Sequence, residues 1–273
     1  MKLAMSSWSH HGAIKSGEMS QGDWIAFCAL LRLDAVELLD LHFPSTDNSC
    51  LDDIRRVCSE RGLEIACVAV SNDFGLPVKK ARGEMERLVR KWIGLCVRLG
   101  APLLRVFAGL PGAHKKGLHL VEKFRLWDEM CERLNRLATE GKKAGVTLAI
   151  ENHNGNGFTK TVDDLFSILD AAPDLGVCLD TGDYLVGAAD VNGYAALERA
   201  APKAVHVHAK LYDLDDEGRD SKQDWRRILD ILTAAGFKGA LSIEYEGAED
   251  PLKALPRGIN YLANLMREKG LRP

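Results

Sequence analysis

Residues 221–246 read SKQDWRRILDILTAAGFKGALSIEYE, and this stretch decides the fold. Its first part reads as an amphipathic helix, with Ser221 as the expected N-cap and Gly236 just after the last periodic residue. Gly tolerates the left-handed conformation that ends many helices. A short joint then leads into ALSIEYE (240–246), a run of strand type. The same helix–Gly–strand device recurs in RLGAPLLRV and KKAGVTLAI. Working outward, the other strand candidates are KLAMSS (2–7), AVELL (35–39), LEIACVAV (63–70), PLLRVFA (102–108), VTLAIE (146–151), LGVCLD (175–180) and AVHVHAK (204–210). Helical stretches at 79–100 and 121–145 fill two of the gaps.

Strict alternation of strand and helix with short joints implies parallel strands and right-handed crossovers. About eight units in 273 residues close a (β/α)₈ barrel, expected here as one domain over 1–273. The open doubly wound sheet is disfavoured, because no G-x-G-x-x-G follows the first strand. The irregular stretches 40–50, 109–120 and 211–220 each follow a strand, which places them on the active-site face of a barrel. Within the last, DLDDEGRD is expected as a rim or lid, since its acids lack the calcium-loop pattern.

Composition narrows the function classes. Apolar residues make up 46% and charged residues 27%, and 36 basic against 39 acidic side chains leave a net charge of −3. Such a chain has no bulk attraction to nucleic acid or to anionic lipid. Seven cysteines without a C-x-x-C pair, no apolar leader and no membrane-length run lead us to expect a soluble cytoplasmic protein with reduced thiols. Helices on a barrel exterior also offer surfaces for a homo-oligomer.

The chemistry is signalled by how the last four strands end. LAIE stops at Glu151, VCLD at Asp180, VHVH at His208 and LSIE at Glu244. One carboxylate after a strand is ordinarily a cap or a solvated loop residue, and one histidine a satisfied core residue. Four consecutive strands ending on metal-ligand types, all at the face where a barrel converges, point to one divalent metal ion. Three carboxylates and an imidazole suit Mn²⁺, Mg²⁺ or Co²⁺ and admit Zn²⁺.

Side chains alternate along a strand, so His206 shares the inward side with His208, Glu246 with Glu244, and His153 with Glu151. Lys210 has the same parity, and it either pairs with a substrate oxygen or phosphate or lies on the loop surface. Glu37 and Arg105 interrupt apolar runs and are expected as paired charges inside the barrel. At the end of the first strand, Trp8 and His10 are candidates for an aromatic wall and a polar sugar contact.

Taken in order, AVELL, AVSNDF, LLRVFAG, IENHNG, CLDTGDYL, HVHAK and LSIEYEG resemble the sugar phosphate isomerase/epimerase family of xylose isomerase-like barrels over nearly the whole chain. The resemblance implies that Glu151 and Glu244 are both metal ligands and the catalytic acid/base pair, with Asp180 and His208 as the remaining ligands. It implies proton transfer beside a carbonyl through an enediolate, with a divalent ion as Lewis acid. His153 would then contact a substrate hydroxyl or relay a proton, or else make a structural hydrogen bond. Asp183 stands where D-tagatose 3-epimerase-like enzymes carry a substrate-contacting histidine, and no arginine follows His208 closely. These departures leave open another enolisation, such as dehydration of an oxidised sugar or keto-inositol. An endonuclease IV-like activity fits less well, because it needs more histidine ligands and a basic face.

Overall fold

The computed structural model describes residues 1–114, 120–153 and 157–272. Part of the 109–120 loop and the end of IENHNG lie outside these residues. Eight parallel strands pair in chain order and close β8 onto β1. They are β1 (Lys2–Ser6), β2 (Ala35–Leu39), β3 (Glu64–Ala69), β4 (Leu103–Val106), β5 (Thr147–Glu151), β6 (Gly176–Asp180), β7 (Ala204–Leu211) and β8 (Ala240–Tyr245). Each expected strand is present, with no end moved by more than two residues. The main helices are α1 (Gln21–Leu30), α2 (Asn48–Glu60), α3 (Lys79–Leu99), α4 (Leu120–Ala144), α5 (Val162–Ala171), α6 (Tyr194–Ala200), α7 (Trp225–Ala234) and α8 (Pro251–Glu268). The architecture is the expected (β/α)₈ barrel.

Alternation along the strands divides the molecule into two interiors. Leu3, Met5, Val36, Leu38, Leu104, Val106, Leu148, Ile150, Val177, Leu179, Val207, Leu241 and Ile243 belong to the large apolar core, together with helix residues such as Trp24, Trp92, Leu134 and Trp225. The intervening residues line the barrel. Ala4, Ala35 and Ala240 form a small separate cluster inside it. Above them the lining is buried and polar, with Glu37, Arg105, Glu151, Asp180, His206, His208, Ser242 and Glu244. A lumen with so little apolar bulk has room for charge, provided that each charge finds a partner.

Two register shifts tune this lining. Ala66 is an extra residue opposite the Val36–Glu37 step, and Val205 is extra opposite Val177–Cys178. Bulges re-aim the side chains that follow them. Val205 also explains Gly176, where a Cβ would come 2.5 Å from Val205 Cγ2.

The helix–Gly–strand joints behave as read: Gly100, Gly145 and Gly236 have φ of +73°, +78° and +73°. The start of α7 differs. The N-cap is Asp224, whose carboxylate accepts from Arg227 N at 3.1 Å, and not Ser221. Ser221 is already committed to the preceding turn, where its N–H donates to Asp213 O while Leu214 bridges Asp220. DLDDEGRD is therefore a short hairpin at the rim. All seven cysteines are free, and no described helix is long and apolar enough to cross a membrane.

Candidate metal centre at the barrel mouth

The four strand ends do meet. His208 Nδ1 lies 3.5 Å from Glu151 Oε1, 3.6 Å from Glu244 Oε2 and 3.7 Å from Asp180 Oδ2. All four residues are buried. Asp180 does two jobs with its two oxygens. Oδ1 accepts from Asp183 N at 2.8 Å and so caps the turn that follows β6. Oδ2 has no hydrogen-bond partner among the described residues and faces His208. Asn152 holds the Asp180 backbone from both sides, accepting from Asp180 N at 2.8 Å and donating to Asp180 O at 2.9 Å.

The other ring nitrogen of His208 is fixed from below. Glu37 accepts from His206 Nε2 at 2.7 Å and from His208 Nε2 at 3.0 Å. Burial pushes the Glu37 carboxyl up, but the imidazoles of His208 and His206 outweigh it and hold it well below the usual carboxylate range. An ionised Glu37 can only accept, so both Nε2 atoms donate, and Nδ1 is the His208 nitrogen at which a cation among the carboxylates would take the place of a proton. His208 Nδ1 and Asp180 Oδ2 are thus buried without a hydrogen-bond partner among the described residues, and they converge with Glu151 and Glu244. That geometry fits a divalent cation, since an unpaired buried polar atom is otherwise costly.

The charge balance agrees. Among the described residues, Glu37, Glu151, Asp180, Glu244 and Glu246 face two permanent cations, Arg105 and Lys210. Burial lowers the pKa of His208, yet the surrounding Cys178, Glu244, Glu37 and Glu151 win and raise it well above its ordinary value. Burial likewise raises Glu151, while the Arg105 guanidinium at 3.0 Å, followed by His208, brings it down to about 2. Glu37 and Arg105 are therefore the paired interior charges expected of them.

The remaining candidates divide. Glu151, His153 and Asp183 place ligand-type atoms within 4.8 Å of one another, and His153 packs edge-on against Phe107. Trp8 lies at the rim, 37% exposed, with its indole N–H donating to Glu246 Oε1 at 3.0 Å. Lys210 is not a surface lysine: it is buried, with Nζ 2.6 Å from Glu246, 2.8 Å from Glu244 and 3.5 Å from Asp180. Glu246, singled out in the sequence only by its parity with Glu244, thus joins the site.

His10 stands apart from Trp8. It is buried edge-on against Phe27, with ring centroids 5.3 Å apart, and neither nitrogen has a hydrogen-bond partner among the described residues. The reason is the 3₁₀ turn at Ser7–His10, which puts i and i+3 on one side. His10 follows Ser7 inward while Trp8 stays at the rim. His11 instead packs on Trp8 at 4.6 Å and meets His42 Nε2 through Nδ1 at 2.9 Å.

A pH dependence follows. Burial lowers His10 to about 4, and burial with a smaller contribution from His11 lowers His42 to about 4. Between pH 6.5 and 4 the unfolded chain binds protons that the folded chain refuses, so stability falls as the solution is acidified. Each histidine contributes on the order of 1–3 kcal/mol to that loss. Urea midpoints at pH 7 and pH 5 should differ less for His10→Leu than for the wild type. Equal pH slopes would count against the assignment.

Residues 25–265 match the family described as xylose isomerase-like TIM barrel. A curated inosose dehydratase of Lactiplantibacillus plantarum is 29% identical over 161 residues, which is 50% of this chain and 52% of that protein. The chain spans about half the length, or less, of the curated relatives it matches. Among solved structures, a D-tagatose 3-epimerase-like protein superposes with a TM-score of 0.77 at 19% identity, covering 98% of this chain and 100% of that one. D-psicose 3-epimerase from Clostridium cellulolyticum, solved with D-tagatose, gives a TM-score of 0.78 at 16% identity over 100% of both chains. At such identities the structures speak for the fold. The family match covers most of the sequence, and the chain belongs to the xylose isomerase-like TIM barrel family.

Proposed function

We propose that this chain is a divalent-metal-dependent isomerase or epimerase that moves a proton at a carbon beside a carbonyl of a sugar or sugar derivative. The observation that carries the reading is the convergence of the buried His208 Nδ1 and Asp180 Oδ2 with Glu151 and Glu244 at the barrel mouth. Glu151, Asp180, His208 and Glu244 would hold the metal, with Mn²⁺ the preferred ion for this oxygen-rich set. When bound, the ion supplies Lewis-acid stabilisation of the charge that develops on the substrate oxygens.

Glu151 and Glu244 reach the same space from strands on different sides of the mouth. That placement suits one carboxylate to remove a proton and the other to return it on another face or carbon. His153 and Asp183, next to Glu151, are positioned to orient substrate hydroxyls, and Trp8 forms an apolar wall at the rim. A second reading is favoured by the inosose dehydratase relative: the same proton removal followed by loss of water from an oxidised cyclic polyol.

The test combines elemental analysis of the purified protein with a panel of ketoses and keto-inositols in deuterated water, after chelation and after Mn²⁺ readdition. Metal-dependent deuterium incorporation with retained substrate mass supports epimerisation, and loss of water supports dehydration. Protein that binds no divalent metal would sink both.

Glu37→Gln is expected to weaken Mn²⁺ binding by about 10–100-fold, because the two imidazoles use both carboxylate oxygens and an amide would set an NH₂ donor against one of them. Calorimetric titration of the chelated variant checks this, and an unchanged affinity would refute it.

A further inference from the structure

Glu246 follows β8 directly, two residues beyond Glu244, on the same side and one step nearer the mouth. Its backbone N–H donates to Leu211 O at 2.8 Å, which fixes its base. Its Oε1 accepts from two elements at once, Lys210 Nζ of β7 at 2.6 Å and Trp8 Nε1 after β1 at 3.0 Å. The Lys210 stem is confined by Gly182, where a Cβ would come 2.6 Å from Lys210 Cγ. The ammonium also lies 2.8 Å from Glu244 Oε2 and 3.5 Å from Asp180 Oδ2. Lys210 therefore draws on oxygens of two of the carboxylates that converge with His208. A divalent ion seated among them would compete with the ammonium for lone pairs and be repelled by its charge.

We propose that Glu246 is a positioning residue that shares the Lys210 ammonium with Glu244, draws part of its charge toward the mouth, and so sets the metal affinity of the centre. In that position the ammonium and the Trp8 indole stand side by side at the mouth, a cation and an aromatic face gripped by one carboxylate. The pair suits a substrate with an electron-rich oxygen next to a C–H face, as a keto-sugar or keto-polyol presents. This inference rests on the metal-dependent reading above.

The experiment is a double-mutant cycle on Mn²⁺ affinity, read as free Mn²⁺ by electron paramagnetic resonance, in the wild type, Glu246→Gln, Lys210→Met and the double variant. Lys210→Met should tighten Mn²⁺ binding by about 10-fold or more, because a competing cation is removed. Glu246→Gln should weaken it by about 10-fold, and by less than about 2-fold when Lys210 is already Met. The side chain of Glu246 is 35% exposed, so folding should survive the change.

Trp8 emission, taken as the difference from Trp8→Phe, gives a second readout. It should persist in Glu246→Gln, whose amide oxygen still accepts from the indole, and shift in Glu246→Ala. A loss in Glu246→Gln that is equal in both lysine backgrounds would mean that Glu246 acts on the metal directly, and would overturn the proposal. So would unchanged affinities in all variants with tight wild-type binding. Wild-type protein that binds no Mn²⁺ would instead overturn the metal-dependent reading, and this inference with it.

Discussion

Glu151→Gln and Glu244→Gln are each expected to lower metal-dependent deuterium exchange into substrate by about 10²–10⁴-fold, the usual contribution of a positioned general acid or base. The amide keeps the shape of the side chain but can neither take up a proton nor offer a full negative charge to a cation. The assay is therefore run at saturating Mn²⁺, so that weaker metal binding does not masquerade as lost proton transfer. The two variants should differ in a second respect. Glu151 is paired with the Arg105 guanidinium at 3.0 Å, whereas Glu244 is paired with the Lys210 ammonium at 2.8 Å. Removing Glu151 leaves Arg105 buried with less countercharge, so Glu151→Gln should also lose more stability. Exchange at the wild-type rate in either variant, with metal saturating, would show that the remaining carboxylate works alone and that the acid/base pair is misassigned.

Arg105→Leu should destabilise the chelated protein by about 3–5 kcal/mol, since it leaves the buried Glu151 carboxylate without its cation. Arg105 is itself buried, and its guanidinium also donates to Val70 O at 3.2 Å. The pH dependence identifies the mechanism. In the wild type the folded Glu151 carboxyl is lowered to about 2 by Arg105 and His208 against the opposing effect of burial. That stabilisation is fully present above the unfolded pKa of about 4.3 and is lost as pH falls through the interval down to about 2. Without Arg105 the folded carboxyl is easier to protonate, so the variant's deficit should shrink as pH falls toward 4. Added Mn²⁺ should also recover part of the deficit at neutral pH by supplying another cation. Denaturant titrations at pH 7 and pH 4.5, with and without metal, test both effects. A deficit independent of pH and metal would assign the loss to packing alone.

Much of this protein was legible in one dimension. Helix ends marked by Gly100, Gly145 and Gly236, and eight apolar runs between them, specify alternating strand and helix. These signals are local, carried by residues a few positions apart. Parity along a strand is local too, and so it brought Glu151, Asp180, His208 and Glu244 to one end of the barrel lining and aligned Glu246 and Lys210 with them.

What parity cannot supply is the partner across the lumen. Glu37 binds His206 and His208 from 169 and 171 residues away, a match set by how the strands are staggered on closure. Bulges at Ala66 and Val205, unmarked in the residue pattern, shift that stagger. The division of labour between the two oxygens of Asp180 depends on the turn that Asp183 begins. His10 went inward because a 3₁₀ turn replaced the alternation of the strand, and Lys210 became a buried counter-charge because Glu246, Glu244 and Asp180 surround it. In each case tertiary structure decided between chemically equivalent options separated by a few ångströms, the scale on which hydrogen bonds and buried charges are won or lost.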